Sequence, residues 1–149
     1  MALQLGDSIP AFSSTNQRGE SVTHEDLLGK KVVLYFYPKD STPGCTAQAC
    51  DLRDNYQALQ SQGFTVLGVS PDSEKSHQKF IAKFELPFDL LADTDHSLAE
   101  AFGVWVEKSM YGKTYMGIAR TTFLVDESGK ITDIISKVDT KAHTAQILV

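Results

Sequence analysis

An α/β fold, with a central mixed sheet flanked by helices, is predicted by three features of the chain. The runs "KVVLYFY" (31–37) and "FTVLGVS" (64–70) are nearly all β-branched, aromatic or aliphatic, the pattern of strands buried on both faces. Each is followed by residues at helical spacing. Late in the chain, "RTTFLVD" (120–126) and "ITDIISKV" (131–138) flank "ESGK" and read as an antiparallel hairpin. A parallel β-α-β unit joined to such a hairpin makes the thioredoxin-like sandwich.

The elements follow in order. "AFSSTNQRGESVT" (11–23) predicts a small N-terminal β-hairpin turning at Arg18 and Gly19. After the first core strand, "PKDSTPG" is a turn. A helix is predicted from Pro43 to about Gln62, with Ala47, Leu52, Tyr56 and Leu59 on its buried face. Thr42 stands at the N-cap, Pro43 suits the first helical position, and Gly63 ends the helix. The second strand leads into "DSEKSHQKFIAKFE" (72–85), which opens with a helix-start signature. "FDLLAD" reads as a short strand, "DHSLAEAFG" as a short helix, and "TKAHTAQILV" as the start of a last helix.

No repeat, low-complexity tract or linker interrupts the 149 residues, so one domain, 1–149, is expected. The 42% hydrophobic content is enough for a core. With 14 Lys and Arg against 19 Asp and Glu, and no basic cluster, nucleic acid is not an expected partner. "MALQLGDSIPAF" lacks a secretory n-region, and "VVLYFY" is too short to span a bilayer. A cytoplasmic protein without membrane association is therefore expected.

Both cysteines lie in "YPKDSTPGCTAQAC", as Cys45 and Cys50. Three readings compete: a structural disulfide, half of a metal site, or a redox pair. Cys45 falls in the first turn of the predicted helix, at the carboxyl end of the first core strand. Free backbone N–H groups and the helix dipole favour an anion there, hence the nucleophilic thiolate. Residues five apart on an ideal helix have Cα atoms about 8.6 Å apart, whereas a disulfide needs roughly 4.4–6.8 Å. A permanent bridge contradicts the helix, and a transient one requires it to unwind, with Gly44 as a possible hinge. The cytosol also keeps thiols reduced.

A metal site needs more ligands, and His24, His77, His96 and His143 form no short-spaced set with the cysteines. Each reads as a surface or cap residue. A metallochaperone using two cysteines and one distant histidine remains an alternative. So does a dithiol oxidoreductase, although four residues rather than two separate the sulfurs. That reading also expects a proline before the late strand, where "GIARTTFLVD" has Arg120 instead.

At these residues the chain resembles the peroxiredoxins, in particular the peroxiredoxin Q or bacterioferritin comigratory protein subfamily. Pro38, Thr42 and Cys45 match the family's P-x-x-x-[TS]-x-x-C motif, Arg120 its distant arginine, and Cys50 the subfamily's resolving cysteine. The likeness continues through "GVSPDS", "SHQKF", "LPFDLLAD", "AFGVW" and "YGKTYMGIARTTFLVD", nearly the whole chain. It departs at the end, where "AHTAQILV" is shorter than the family's terminal helix.

The resemblance implies reduction of hydrogen peroxide and alkyl hydroperoxides. Cys45 would attack the peroxide and Cys50 would form an intramolecular disulfide with it. Thioredoxin, or a glutaredoxin-like protein, would reduce that bond. Arg120 would hold the thiolate, Thr42 would hydrogen-bond sulfur and substrate, and Pro38 would wall the pocket. No cofactor or metal is called for, and a monomer, or at most a weak homodimer, suffices. The aromatics Tyr37, Phe84, Phe88, Phe102, Trp105 and Tyr115 are expected mostly in the core.

Overall fold

The computed structural model describes residues 3–148. Its centre is a five-stranded sheet in which β3 (Lys31–Phe36), β4 (Phe64–Ser70) and β5 (Asp89–Ala92) run parallel. On the other side of β3, β8 (Thr121–Val125) and then β9 (Ile131–Ile135) pair antiparallel, giving the order β5-β4-β3-β8-β9. The mixed, helix-flanked sheet is the one expected.

Strand alternation divides the core. Val32, Leu34 and Phe36 face one cluster, with Phe102, Phe123 and Leu98; Val33, Tyr35 and Tyr37 face the other, with Leu52, Leu59 and Phe80. The chain steps from β3 to β4 to β5 in one direction, so right-handed crossovers place their helices on the same face. These are α1 (Pro43–Asp54), α2 (Tyr56–Ser61) and α3 (Glu74–Phe84), joined there by α5 (His143–Ile147). The return crossover puts α4 (Ser97–Ala101) on the opposite face.

The N-terminal hairpin is present as β1 (Ser13–Thr15) and β2 (Ser21–Thr23), followed by a 3-10 turn at His24–Leu27. It closes over the β5 edge through an Asn16–Leu91 bridge and a bidentate Arg18–Asp89 ion pair. An open parallel edge is thereby covered.

Four expectations need correction. The helix over 43–62 is two helices, because the Asn55 side chain donates to the Asp51 carbonyl at 2.9 Å and competes with the backbone ladder. The buried stripe of α1 runs through Cys45, Gln48, Ala49 and Leu52, while Ala47, on the other side of the helix from Cys45, is half-buried. His77 and His143 are fully buried rather than surface residues, each with both ring nitrogens hydrogen-bonded. Finally, 104–119, where no element was expected, carries an antiparallel hairpin of β6 (Trp105–Met110) and β7 (Lys113–Ile118). Most of its side chains are exposed, so it lacks apolar alternation. Of the aromatics, Tyr37, Phe88 and Phe102 are buried, Phe84 and Trp105 half-buried, and Tyr115 exposed.

Candidate active site

Sheet register assembles the site. Strand β8 is antiparallel to β3, and Phe36 lies opposite Thr121. The start of β8 therefore stands beside the end of β3, where α1 also begins. Arg120 just before β8 and Cys45 in the first turn of α1 meet there, 75 positions apart in sequence.

The Arg120 guanidinium is held at two points. Its Nη2 donates to Cys45 Sγ at 3.3 Å, and its Nη1 donates to Gln48 Oε1 at 2.7 Å. Both partners lie on α1 three residues apart, one helical turn, so they share a face. Gly44 makes room for this arrangement: a Cβ there would stand 3.3 Å from Arg120 Nη2. Cys45 is only 2% exposed, so its sulfur sits largely out of water beneath the guanidinium.

Thr42 is the N-cap residue by backbone, and its carbonyl accepts from Thr46 N at 2.8 Å. Its hydroxyl makes no cap bond. It donates instead to Lys39 O at 2.8 Å, so its proton does not go to the sulfur. The oxygen keeps its lone pairs for another donor. Pro38 is half-buried at the end of β3. Cys50 is half-buried on α1, and both cysteines are free thiols in an intact helix.

Three further residues belong to this region that sequence reasoning passed over. Gln48 orients Arg120 and is fully buried, with its Nε2 unpartnered; no signal along the chain marks it. Lys108, from β6, is half-buried, and burial, with Arg120 nearby, lowers its pKa, while Cys45 pulls it back up. Tyr35 lies fully buried beneath the site with its hydroxyl unpartnered. Burial, reinforced by Cys45, holds that hydroxyl well above the ordinary tyrosine range. Among the described residues no group of three or more His, Cys, Asp or Glu is placed to hold a metal ion. No helix there is long and apolar enough to cross a membrane.

Residues 5–134 match the AhpC/TSA family. The chain is 47% identical to peroxiredoxin Bcp of Bacillus subtilis over 148 residues, covering 99% of this chain and 94% of that one. It belongs to the AhpC/TSA family. Peroxiredoxin Bcp of Escherichia coli is 48% identical over 146 residues, 98% of this chain and 94% of the other. Among solved structures, a cysteine-to-serine mutant of Xylella fastidiosa peroxiredoxin Q superposes with a TM-score of 0.92 at 34% identity, covering 99% and 94%. Xanthomonas campestris bacterioferritin comigratory protein, studied for its alkyl peroxide reduction activity, gives 0.86 at 39% identity, covering 92% and 87%. The chain is thus a peroxiredoxin of the Q or bacterioferritin comigratory protein type, with the thioredoxin fold of that group, and its enzymatic activity is that of a peroxidase.

Proposed function

We propose that Cys45 is the peroxidatic nucleophile, and that the cycle is completed within one chain. The Arg120 guanidinium, fixed between Sγ and Gln48, carries this reading. It supplies a permanent cation whose planar fork reaches two partners at once. As thiolate attacks the terminal peroxide oxygen, the O–O bond breaks and negative charge passes to the leaving oxygen. Arg120 is poised to stabilise that charge. The Thr42 oxygen accepts the hydroperoxide O–H, and Pro38 bounds the pocket. Water or an alcohol leaves, and Cys45 is left as a sulfenic acid.

Cys50 thiol then attacks the sulfenic sulfur. Water departs and a Cys45–Cys50 disulfide forms. A dithiol protein, thioredoxin or a glutaredoxin-like reductant, reduces it by thiol–disulfide exchange. Hydrogen peroxide and alkyl hydroperoxides are the substrates; the activity of the Xanthomonas relative supports the second class. A monomer, or at most a weak homodimer, working in the cytoplasm suffices for this cycle, since the resolving thiol lies in the same chain and the cytosol supplies dithiol reductants.

The test separates the two sulfurs. Cys45→Ser should abolish peroxide reduction. Cys50→Ser should react once and accumulate a sulfenic acid that dimedone traps at Cys45. Equal loss of the first turnover in both variants would reverse or dissolve the assignment. Activity that vanishes with a chelator and returns with copper or zinc would favour metal chemistry instead.

A further inference from the structure

The turn that carries Cys45 is tied to the rest of the molecule by a buried polar cluster that the reaction does not use. Asp40, 6% exposed, is its centre. Its Oδ1 accepts from Tyr37 Oη at 2.6 Å, and its Oδ2 faces Ser76 Oγ at 2.8 Å and His77 Nδ1 at 2.7 Å. Its backbone N–H donates to Asp72 Oδ2 at 2.7 Å, an oxygen that Ser70 Oγ also reaches. His77 is 0% exposed, and its Nε2 lies 2.9 Å from Leu91 O.

A carbonyl only accepts, so His77 donates the Nε2 hydrogen bond to Leu91 O. The Nδ1–Oδ2 contact at 2.7 Å completes a pair that is hydrogen-bonded on every side, as a buried ionisable pair must be.

The segment so anchored is backbone that would not hold itself. Ser41 has φ 63, the left-handed region that non-glycine residues rarely occupy. Such conformations persist where the surroundings over-determine them. From Ser41 the chain passes directly to Thr42, Pro43, Gly44 and Cys45. A shift of Asp40 would therefore turn the first turn of α1 and move Sγ relative to Arg120.

We propose that His77 is a positioning residue for the peroxidatic cysteine: by gripping Asp40 it sets the Asp40–Thr42 turn, and through it the place of Cys45 Sγ under Arg120. The inference rests on Cys45 being the nucleophile, as proposed above. It adds a requirement on a residue from α3 that touches neither sulfur nor peroxide.

Two substitutions separate position from bulk stability. His77→Asn places an amide where Nδ1 was and keeps the Asp40 contact. His77→Gln places one where Nε2 was and keeps only the Leu91 contact. His77→Gln leaves the buried Asp40 carboxylate short of a donor and should lower the unfolding midpoint more than His77→Asn, so rates are compared at a temperature where both are folded. In stopped-flow single turnovers with hydrogen peroxide, His77→Gln should oxidise Cys45 about tenfold to a hundredfold more slowly, while His77→Asn stays near the wild-type rate. Equal rates in the two folded variants, whether fast or slow, would overturn the proposal.

If His77→Gln does not fold, Asp40→Asn and Asp40→Leu decide. The first can keep all three side-chain contacts with a neutral partner and should react normally; the second should be slow. Wild-type kinetics in Asp40→Leu, or an equal slowing in both, would overturn it. Failure of the underlying reading looks different. The wild-type chain would then consume peroxide without losing the Cys45 thiol.

Discussion

At the scale of single residues, the site depends on one cation held by two acceptors. Arg120 contributes geometry as well as charge, because its two terminal nitrogens serve Cys45 Sγ and Gln48 Oε1 separately. A lysine carries the charge on a single point and cannot span both. Arg120→Met should lower the second-order rate constant with peroxide by about a hundredfold or more, the scale of losing a preorganised charge stabiliser. Arg120→Lys should recover part of that loss. Stopped-flow kinetics with hydrogen peroxide measure both, and wild-type rates in Arg120→Met would remove Arg120 from the mechanism. Arg120 became a candidate through the resemblance to the peroxiredoxin arginine, since its position alone reads as well as a surface ion pair. Gln48 did not, because glutamine on a helix face signals nothing until an arginine from elsewhere arrives beside it.

At the scale of elements, α1 must be two things in turn. The reduced chain holds it intact from Pro43, with both thiols free. A Cys45–Cys50 bond needs the Cα atoms roughly 2 Å or more closer than an ideal helix allows. Amides of 43–54 should therefore exchange slowly in dithiothreitol and rapidly after one equivalent of peroxide, while "TVLGV" and "TTFLV" stay protected. Equal protection in both states would move the bridge to another chain. Helix α5 opposes the unwinding, since Thr144 N donates to Asp51 Oδ2 at 2.7 Å and the Thr144 hydroxyl to Asp51 O at 3.3 Å. His143 holds α5 against β8 through Thr122 Oγ1 at 2.8 Å. Burial, with Arg120 adding repulsion, lowers its pKa, although Gln146, Asp51 and Asp139 oppose the shift. The folded chain thus binds this proton less readily than the unfolded one. Its contribution to stability is present above the ordinary imidazole range and lost as pH falls through and below it. Protection factors of the α5 amides, corrected for the slower intrinsic exchange in acid, should fall on going from about pH 8 to pH 5. The same fall in a His143→Gln variant would exclude His143 as the cause.

At the scale of the whole molecule, two apolar layers share one sheet, and we propose that all 149 residues unfold as one cooperative unit. Gly68 is a tight point within one of these layers. It sits opposite Tyr35 in the β3–β4 pairing, and the tyrosine ring crosses the space a side chain would fill. A Cβ at Gly68 would lie 2.6 Å from Leu90 Cδ2 and 2.8 Å from Tyr35 Cζ. Gly68→Ala should cost about 1–3 kcal/mol by overpacking and lower the unfolding midpoint by several degrees while leaving a single transition. Two resolved transitions in calorimetry would split the unit, and an unchanged midpoint would show that Tyr35 and Leu90 can yield.

The sequence by itself determined what is written in short-range spacing. "KVVLYFY" and "FTVLGVS" announce buried strands because both faces of each are apolar. Thr42 and Pro43 announce a helix start because caps and proline act on neighbouring backbone. Two cysteines five apart announce a pair too distant to bond on a helix. Local signals were weakest where side chains face water, as in the β6–β7 hairpin, or compete with their own backbone, as at Asn55. Only the tertiary structure decided the rest. His24, His77, His96 and His143 look alike in one dimension, yet His77 and His143 are enclosed because separate elements close over them. Arg120 reaches Cys45 through the register of β8 on β3, and Asp40 meets His77 because α3 begins just after β4, at the end of the sheet where β3 also ends. Contacts of that kind join residues tens of positions apart. Their free energy depends on how elements pack, and no period or cap along the chain encodes it.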